Sequence, residues 1–469
     1  MEQEIERLNL ANRIKNTSYV FVPFVVNGNV NFLNIENHWR IKEQKNKYFL
    51  KYIVDKLTPT SDTVCCRPYL MDDNIRNKFG IIKSADSCFI TEMKYSEGNA
   101  FSFKINEILL FLFDTNIGFI VYKIEHECTD TAYRIASKNY HLKKIHNTKL
   151  YTRKNDGTNS TLVIASATID SLSALAEYIL DKTLETKTNI FFNYCEKTER
   201  RSNILTHYNL KLDSILSEKD QDEINKILFY LKRNYHDKWN RDENEKISDQ
   251  EYFKASPYIH WGITSEATVC LTITDSKTYF VGNSFYDNYH SYYLYIYILA
   301  LHQKYALYYF LTKLSINSNI DELENNLSEL ADFRAKYVFQ IISESETYQV
   351  VYNKTREAFA LDRLFGDIDE QVQRVIEIKR IYDDKKNLKQ ESRINLILGV
   401  LTFFGLFSAL VDLNTLIEWL DNLLLPMQIT IVRYSANILL VMTGMYLFIQ
   451  FLRVNYYKKM EENDKKREK

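Results

Sequence analysis

The sequence predicts an α/β domain that leads through a long helical stalk into two C-terminal apolar helices of membrane-crossing length. Three observations predict it. Apolar and aromatic runs of strand length alternate with helix-like segments through the first half of the chain, and residues 320–390 then hold no proline and a single glycine, Gly366. Two uncharged runs follow, 394–411 and 434–452. The 469 residues, 45% hydrophobic, are enough for two or three domains and a substantial core.

The N-terminal region, 1–250, reads as α/β. SYVFVPFVV, SCFITEMKYS, EILLFLFD and IGFIVYKIEHE have strand composition, and the last two flank a DTN turn that predicts a hairpin. TDTAYRIASKNYHLKKI and SLSALAEYILDKTL read as helices, the second opening on a cap at Ser171. Residues 217–250 read as a charged amphipathic helix followed by a solvated linker. In 251–319, YIHWGITSEATVCLTITD and TYFVG predict further strands, and the tyrosine-rich NYHSYYLYIYILALHQ predicts a buried helix that completes this domain.

Residues 320–393 form the expected stalk. Ile368, Val372, Val375, Ile376 and Tyr382 recur at spacings of three and four, an apolar stripe that needs a partner helix. Residues 394–413 are the first expected span, 414–433 an outer loop, 434–452 the second span and 453–469 a basic tail. At 1.5 Å per residue each run covers roughly 27–29 Å, close to bilayer thickness. Lysine and arginine flank both runs while the connector is acidic, which places the N- and C-termini in the cytoplasm of a multi-pass plasma-membrane protein.

Composition narrows the function classes. The formal charge of −1 offers no global basic field for a nucleic-acid polymer. No GxGxxG or Walker-type loop occurs, and no Ser/His/Asp or paired-acid arrangement points to an enzyme. Six cysteines without CxxC spacing read as free thiols of a reducing compartment, and the charged N-terminus MEQEIERLNLANRIKN lacks the apolar core of a cleavable signal.

On a helix of 100° per residue, Asn395, Leu398, Thr402 and Gly405 share a stripe with Ser408, Ala409 and Asp412, opposite Phe403, Phe404 and Phe407. Such a stripe faces either a protein seam or an aqueous path, and the terminal carboxylate favours the path. A ring of copies would set Asn395 and Asp412 around a hydrophobic constriction, the arrangement of a cation pore.

IDEQVQRVIEIKRIYDDKKNLKQES running into Asn395, then Leu401 and Thr402, a phenylalanine-rich span, a short loop, a second span and a basic tail resembles the C-terminal half of the CorA-type divalent cation channels. The resemblance covers about residues 320–469. It implies a homopentamer in a lipid bilayer, a pore lined by Asn395, Leu398, Leu401 and Thr402, and regulatory magnesium at subunit interfaces, near the acids Asp362, Asp367 and Asp369. The family's Gly-Met-Asn triplet is absent; Trp419, Leu420 and Asp421 stand near its place. That loss favours a channel gated by a ligand over a magnesium transporter. Divergent CorA-like proteins serve in CRISPR-type antiviral defence, where the ligand is a nucleotide second messenger. A membrane-anchored binding protein without a pore is the third reading.

An anionic ligand needs cationic donors. KLYTRKNDG supplies Lys149, Arg153 and Lys154, and EKTERRSN supplies Lys197, Arg200 and Arg201. Tyr258 and Trp261 are candidates to stack a base, or simply core. The EHEC cluster, Glu125 to Cys128, has metal-binding residue types without a second motif to complete a site.

Overall fold

Alternation along the strands sets the architecture. In chain order the strands are β1 (Thr17–Asn27), β2 (Trp39–Ile41), β3 (Cys66–Met71), β4 (Phe89–Glu92), β5 (Ala100–Phe113), β6 (Ile117–Glu125) and β7 (Leu150–Arg153). They continue as β8 (Asn159–Ile164), β9 (Ala167–Ile169), β10 (Lys187–Ile190), β11 (Asn203–Lys211), β12 (Tyr252–Ser256), β13 (Ile259–Ile263) and β14 (Ala267–Thr274). β1 sends Tyr19, Phe21 and Val25 to one core and Val20, Val22, Phe24 and Val26 to the other. β5 and β6 divide in the same way, so the sheet is apolar on both faces and both need cover.

This computed structural model describes residues 15–27, 35–42, 47–57, 64–79, 89–92, 100–127, 129–146, 149–153, 159–164, 167–184, 186–190, 201–211, 218–235, 251–274, 281–316 and 320–421, with scattered positions between 434 and 453. The strands form one mixed sheet whose main path runs β12-β13-β14-β11-β1-β6-β5-β4-β7-β8-β9. β1 also pairs β10 at its far end, and β3 joins β5 and carries β2. β11 pairs β14 in parallel; the neighbours of β1, β5 and β6 are antiparallel.

Helices cover the faces. One side takes α1 (Lys51–Leu57); on the other side of the sheet, α2 (Asp73–Lys78) follows β3, α3 is Ala132–Leu142, and α4 (Leu172–Leu184) packs Leu175, Ile179 and Leu180 into the second core. Ser171 caps α4 through the Ala174 amide, at 3.1 Å. α5 (Glu218–Arg233) packs Ile224, Ile227, Leu228 and Leu231 with α3 over β14. The tyrosine-rich segment enters as π-helical turns, Val281–Phe285 and Tyr289–Tyr293, and becomes α6 (Leu294–Ile316), whose first part, through Gln303, is buried all round in the first core. α7 (Ile320–Tyr337) and α8 (Glu346–Ala358) add to that core, and α9 spans Leu361–Asp421.

Close approach is visible at one glycine. A Cβ on Gly118 of β6 would stand 2.3 Å from the Phe24 ring tip on β1, so the glycine makes room for the aromatic side chain beside it.

Several expectations are corrected here. Residues 320–393 are not one stalk helix: the chain leaves helix after Tyr337, restarts at Glu346, and turns again at Ala360, a non-glycine residue at φ 52°. Buried polar contacts hold the first break, where the Phe339 carbonyl accepts from Tyr352 Oη and Arg356. Of the expected strand TYFVG, Val281 and Gly282 instead begin the π-helical entry, and residues 278–280 lie outside the described residues.

The larger correction concerns the membrane. Among the described residues no helix is long and apolar enough to cross one. Residues 394–413 do lie on α9, but Phe403, Leu406, Phe407, Leu410 and Leu413 have side chains outside the description, and Asn395, Gly399, Thr402, Gly405 and Ser408 dilute what remains. The second expected span, 434–452, lies largely outside the described residues. The α/β domain with two transmembrane helices therefore gives way to a mixed sheet with covering helices, and the multi-pass membrane placement and the ion-channel reading are withdrawn with it. Contacts divide the chain into two units, 1–372 and 373–469.

Candidate functional site

The end of α5 builds the site. Lys232 and Arg233 close this helix, and Asn234 follows at φ 49°, the left-handed conformation that ends helices and that asparagine tolerates better than most residues. The Tyr235 amide returns to the Tyr230 carbonyl, 3.3 Å away, in the six-to-one bond of a Schellman turn. Thr264, in the β13–β14 turn, donates to the Lys232 carbonyl at 2.9 Å and so seals the same helix end against the sheet. Gly262 of β13 lets that packing be close, since a Cβ there would stand 3.0 Å from Lys232 Cβ.

A cleft of about 570 Å³ opens beside this junction, within the range that holds a nucleotide-sized molecule. Tyr140 and Lys143 from the end of α3 line one wall, Arg233 to Tyr235 another, and Thr264 to Glu266 the floor. The charges are arranged in two groups. Glu266 accepts from Lys143 at 2.7 Å and from Arg201 at 3.0 Å; Glu251 accepts from the buried Lys232 and lies 3.4 Å from Arg233. Burial alone pushes the Glu266 carboxyl up, but Lys143 and Arg201 outweigh it and hold it below its ordinary range. Rings and cations also meet here: Lys144 Nζ lies 4.1 Å from the Tyr140 ring centre, and Arg233 lies 5.9 Å from that of Tyr235.

Asn234 is the exception to this pairing. It is fully buried, it lines the cleft, and neither its amide oxygen nor its amide nitrogen has a hydrogen-bond partner among the described residues. A buried amide in that state costs about 1–3 kcal/mol for each unsatisfied group, which a ligand with complementary donor and acceptor atoms would recover.

A second lobe of about 590 Å³ adjoins the first and shares Arg201, Ser265, Glu266 and Ala358 with it. Lys304, Ser202 and Phe359 belong to this lobe.

Of the residues singled out in the sequence, Arg201 reaches the cleft. Lys154, Lys197 and Arg200 lie outside the described residues, and Arg153 ends β7 with its side chain outside them. Trp261 is fully buried on β13 and packs on Tyr293 at 4.7 Å, so it is core; Tyr258 is half-buried against the same core. His126 is buried against Ser18, 2.8 Å away, and Cys128 is outside the description. Asp362 is held by Arg356 at 2.8 Å and Asp369 pairs with Arg334; Asp367 is exposed. Among the described residues no group of three or more His, Cys, Asp or Glu side chains could hold a metal ion. Asn395, Leu398, Leu401, Thr402, Gly405, Ser408, Ala409 and Asp412 are exposed positions of α9, and Thr402 Oγ1 donates to its own helix at the Leu398 carbonyl.

No family model, no curated protein and no solved structure matches this chain. The site is thus defined by its own geometry. Asn234 had a signal in the sequence, since an asparagine directly after Lys-Arg at the end of an amphipathic helix marks the left-handed terminal position. Glu251 and Glu266 had none, because their partners are brought to them by the sheet.

Proposed function

We propose that the chain is a ligand-binding protein whose cleft takes a nucleotide-like anion, a planar heterocycle carrying a phosphate. The observation that carries this reading is the buried amide of Asn234, without a hydrogen-bond partner among the described residues, in a cleft walled by tyrosines and cations. An amide offering one acceptor and two donors suits the edge of a base, Tyr140 and Tyr235 offer faces for stacking, and Lys143, Arg201 and Arg233 offer charge for phosphate. The cations are already matched to Glu251 and Glu266, so anion binding requires exchange of these pairs rather than simple addition. That favours a ligand that supplies several contacts at once.

Titration calorimetry of the full chain against mononucleotides and nucleotide second messengers, adenylated ones included, tests the reading. Saturable binding is expected, weakened at least tenfold by Asn234→Gly, which removes the amide and keeps the left-handed backbone. Absence of heat across the panel, or binding untouched by Asn234→Gly, sinks it.

A further inference from the structure

The second lobe differs from the first in the state of its cation. Lys304, half-buried on α6, donates to the Ser265 carbonyl at 3.0 Å and lies 4.7 Å from the Phe359 ring centre. No carboxylate among the described residues forms an ion pair with it. By contrast, Lys143, Lys232, Arg201 and Arg233 all have one. Burial pulls the Lys304 amine down to about 8, and Glu266 only partly offsets this.

A second observation points the same way. Ser202 lines this lobe with its residue only 1% exposed, and its hydroxyl oxygen has no partner among the described residues. Its backbone is fixed, since the Ser202 amide donates to the Lys143 carbonyl at 2.8 Å. The Lys304 ammonium, which gives one of its three hydrogens to Ser265, and the Ser202 hydroxyl line one cavity, and both have donor capacity left for an anion. The other titratable groups facing the lobe are Arg201 and Glu266, paired to each other, with Tyr305 and Tyr308.

We propose that the lobe lined by Lys304 and Ser202 is an oxyanion subsite, shaped for a phosphate group that accepts from both side chains. The Arg201–Glu266 pair stands between it and the Asn234 lobe, so a phosphate here is either a free anion or the distal group of a ligand whose base sits beside Asn234. The second case deepens the proposed function and rests on it; the first does not.

Trace acetylation of the intact chain, read at Lys304 by peptide mass spectrometry across pH, separates these cases. Without added anion Lys304 should acetylate with a midpoint near pH 8. Millimolar inorganic phosphate, against chloride of equal ionic strength, should slow that reaction about tenfold near neutral pH, as for an amine whose affinity for its proton rises by one unit. Ser202→Ala should abolish most of this protection. Protection by AMP that Asn234→Gly removes, with phosphate protection intact, identifies the nucleotide as source; protection by phosphate but not AMP identifies a free anion and leaves the subsite standing even if the Asn234 reading fails. Lys304 reactivity unchanged by both phosphate and AMP, or protection indifferent to Ser202→Ala, overturns the proposal.

Discussion

The centre of the sheet and the rim beside α5 treat charged groups in different ways. In the centre, Asp130 and Lys138 bury their charges as a finished pair, each about 1% exposed at the side chain and bonded to one another. At the rim, four cations, Lys143, Arg201, Lys232 and Arg233, share two carboxylates, Glu266 and Glu251, and the buried side chains of Asn234 and Ser202 beside them have no hydrogen-bond partner among the described residues. The first arrangement serves stability and the second forgoes some of it. An unused donor or acceptor in a cavity costs stability, and a water, ion or ligand that pairs with it offsets that cost.

Breaking the central arrangement should have the largest effect. Asp130→Ala leaves the Lys138 ammonium in the core, and His126 beside it loses the carboxylate that favours its charge. A loss of about 3–5 kcal/mol is expected in urea unfolding. A loss below about 1 kcal/mol would mean that the pair is solvated and the contrast with the rim is false.

Acid tests the same centre through its histidines. Burial holds His126 and His207 down at about 3, so both stay neutral in the fold while the unfolded chain protonates them below about 6.5. The unfolded state then binds more protons, and stability, complete above pH 6.5, falls as pH drops through the window from 6.5 towards 3. At pH 5 each should cost roughly 2 kcal/mol relative to pH 7.5. His207→Gln should shallow this dependence; an unchanged slope would place the proton uptake elsewhere.

The smallest effect has the opposite sign. Asn234→Gly removes the unpaired amide at no backbone cost and should raise stability by about 1 kcal/mol, visible as a higher unfolding midpoint. If the variant is instead destabilised by a comparable amount, the amide has a structural partner and the rim is no different from the centre.

These two regions were also unequally legible. The hairpin of β5 and β6 follows from the alternation of EILLFLFD and IGFIVYKIE and from the DTN turn, where Asn116 takes φ 61°. Both faces being buried left the strands apolar throughout, and their order came from pairings that no local pattern encodes. The stalk failed for a related reason: the absence of proline permits a helix from 320 to 390 but does not require one, and the break at 338–345 is held by tertiary hydrogen bonds to Phe339 while that at 359–360 turns on the left-handed Ala360. Arg201 was visible as one of a basic pair beside a turn. Its partner Glu266 is 65 residues further on, and only the pairing of β11 with β14 brings them together.

The position of β1 has a consequence for synthesis. This strand lies in the interior of the sheet, with β6, β10 and β11 as neighbours, and those begin at residues 117, 187 and 203. A ribosome adding about 5–20 residues per second reaches the first of them roughly 5–20 s after β1 has been made, and the last later still. Through that interval SYVFVPFVV has none of its pairing strands available, so its apolar side chains and backbone stay exposed to aggregation until they are made.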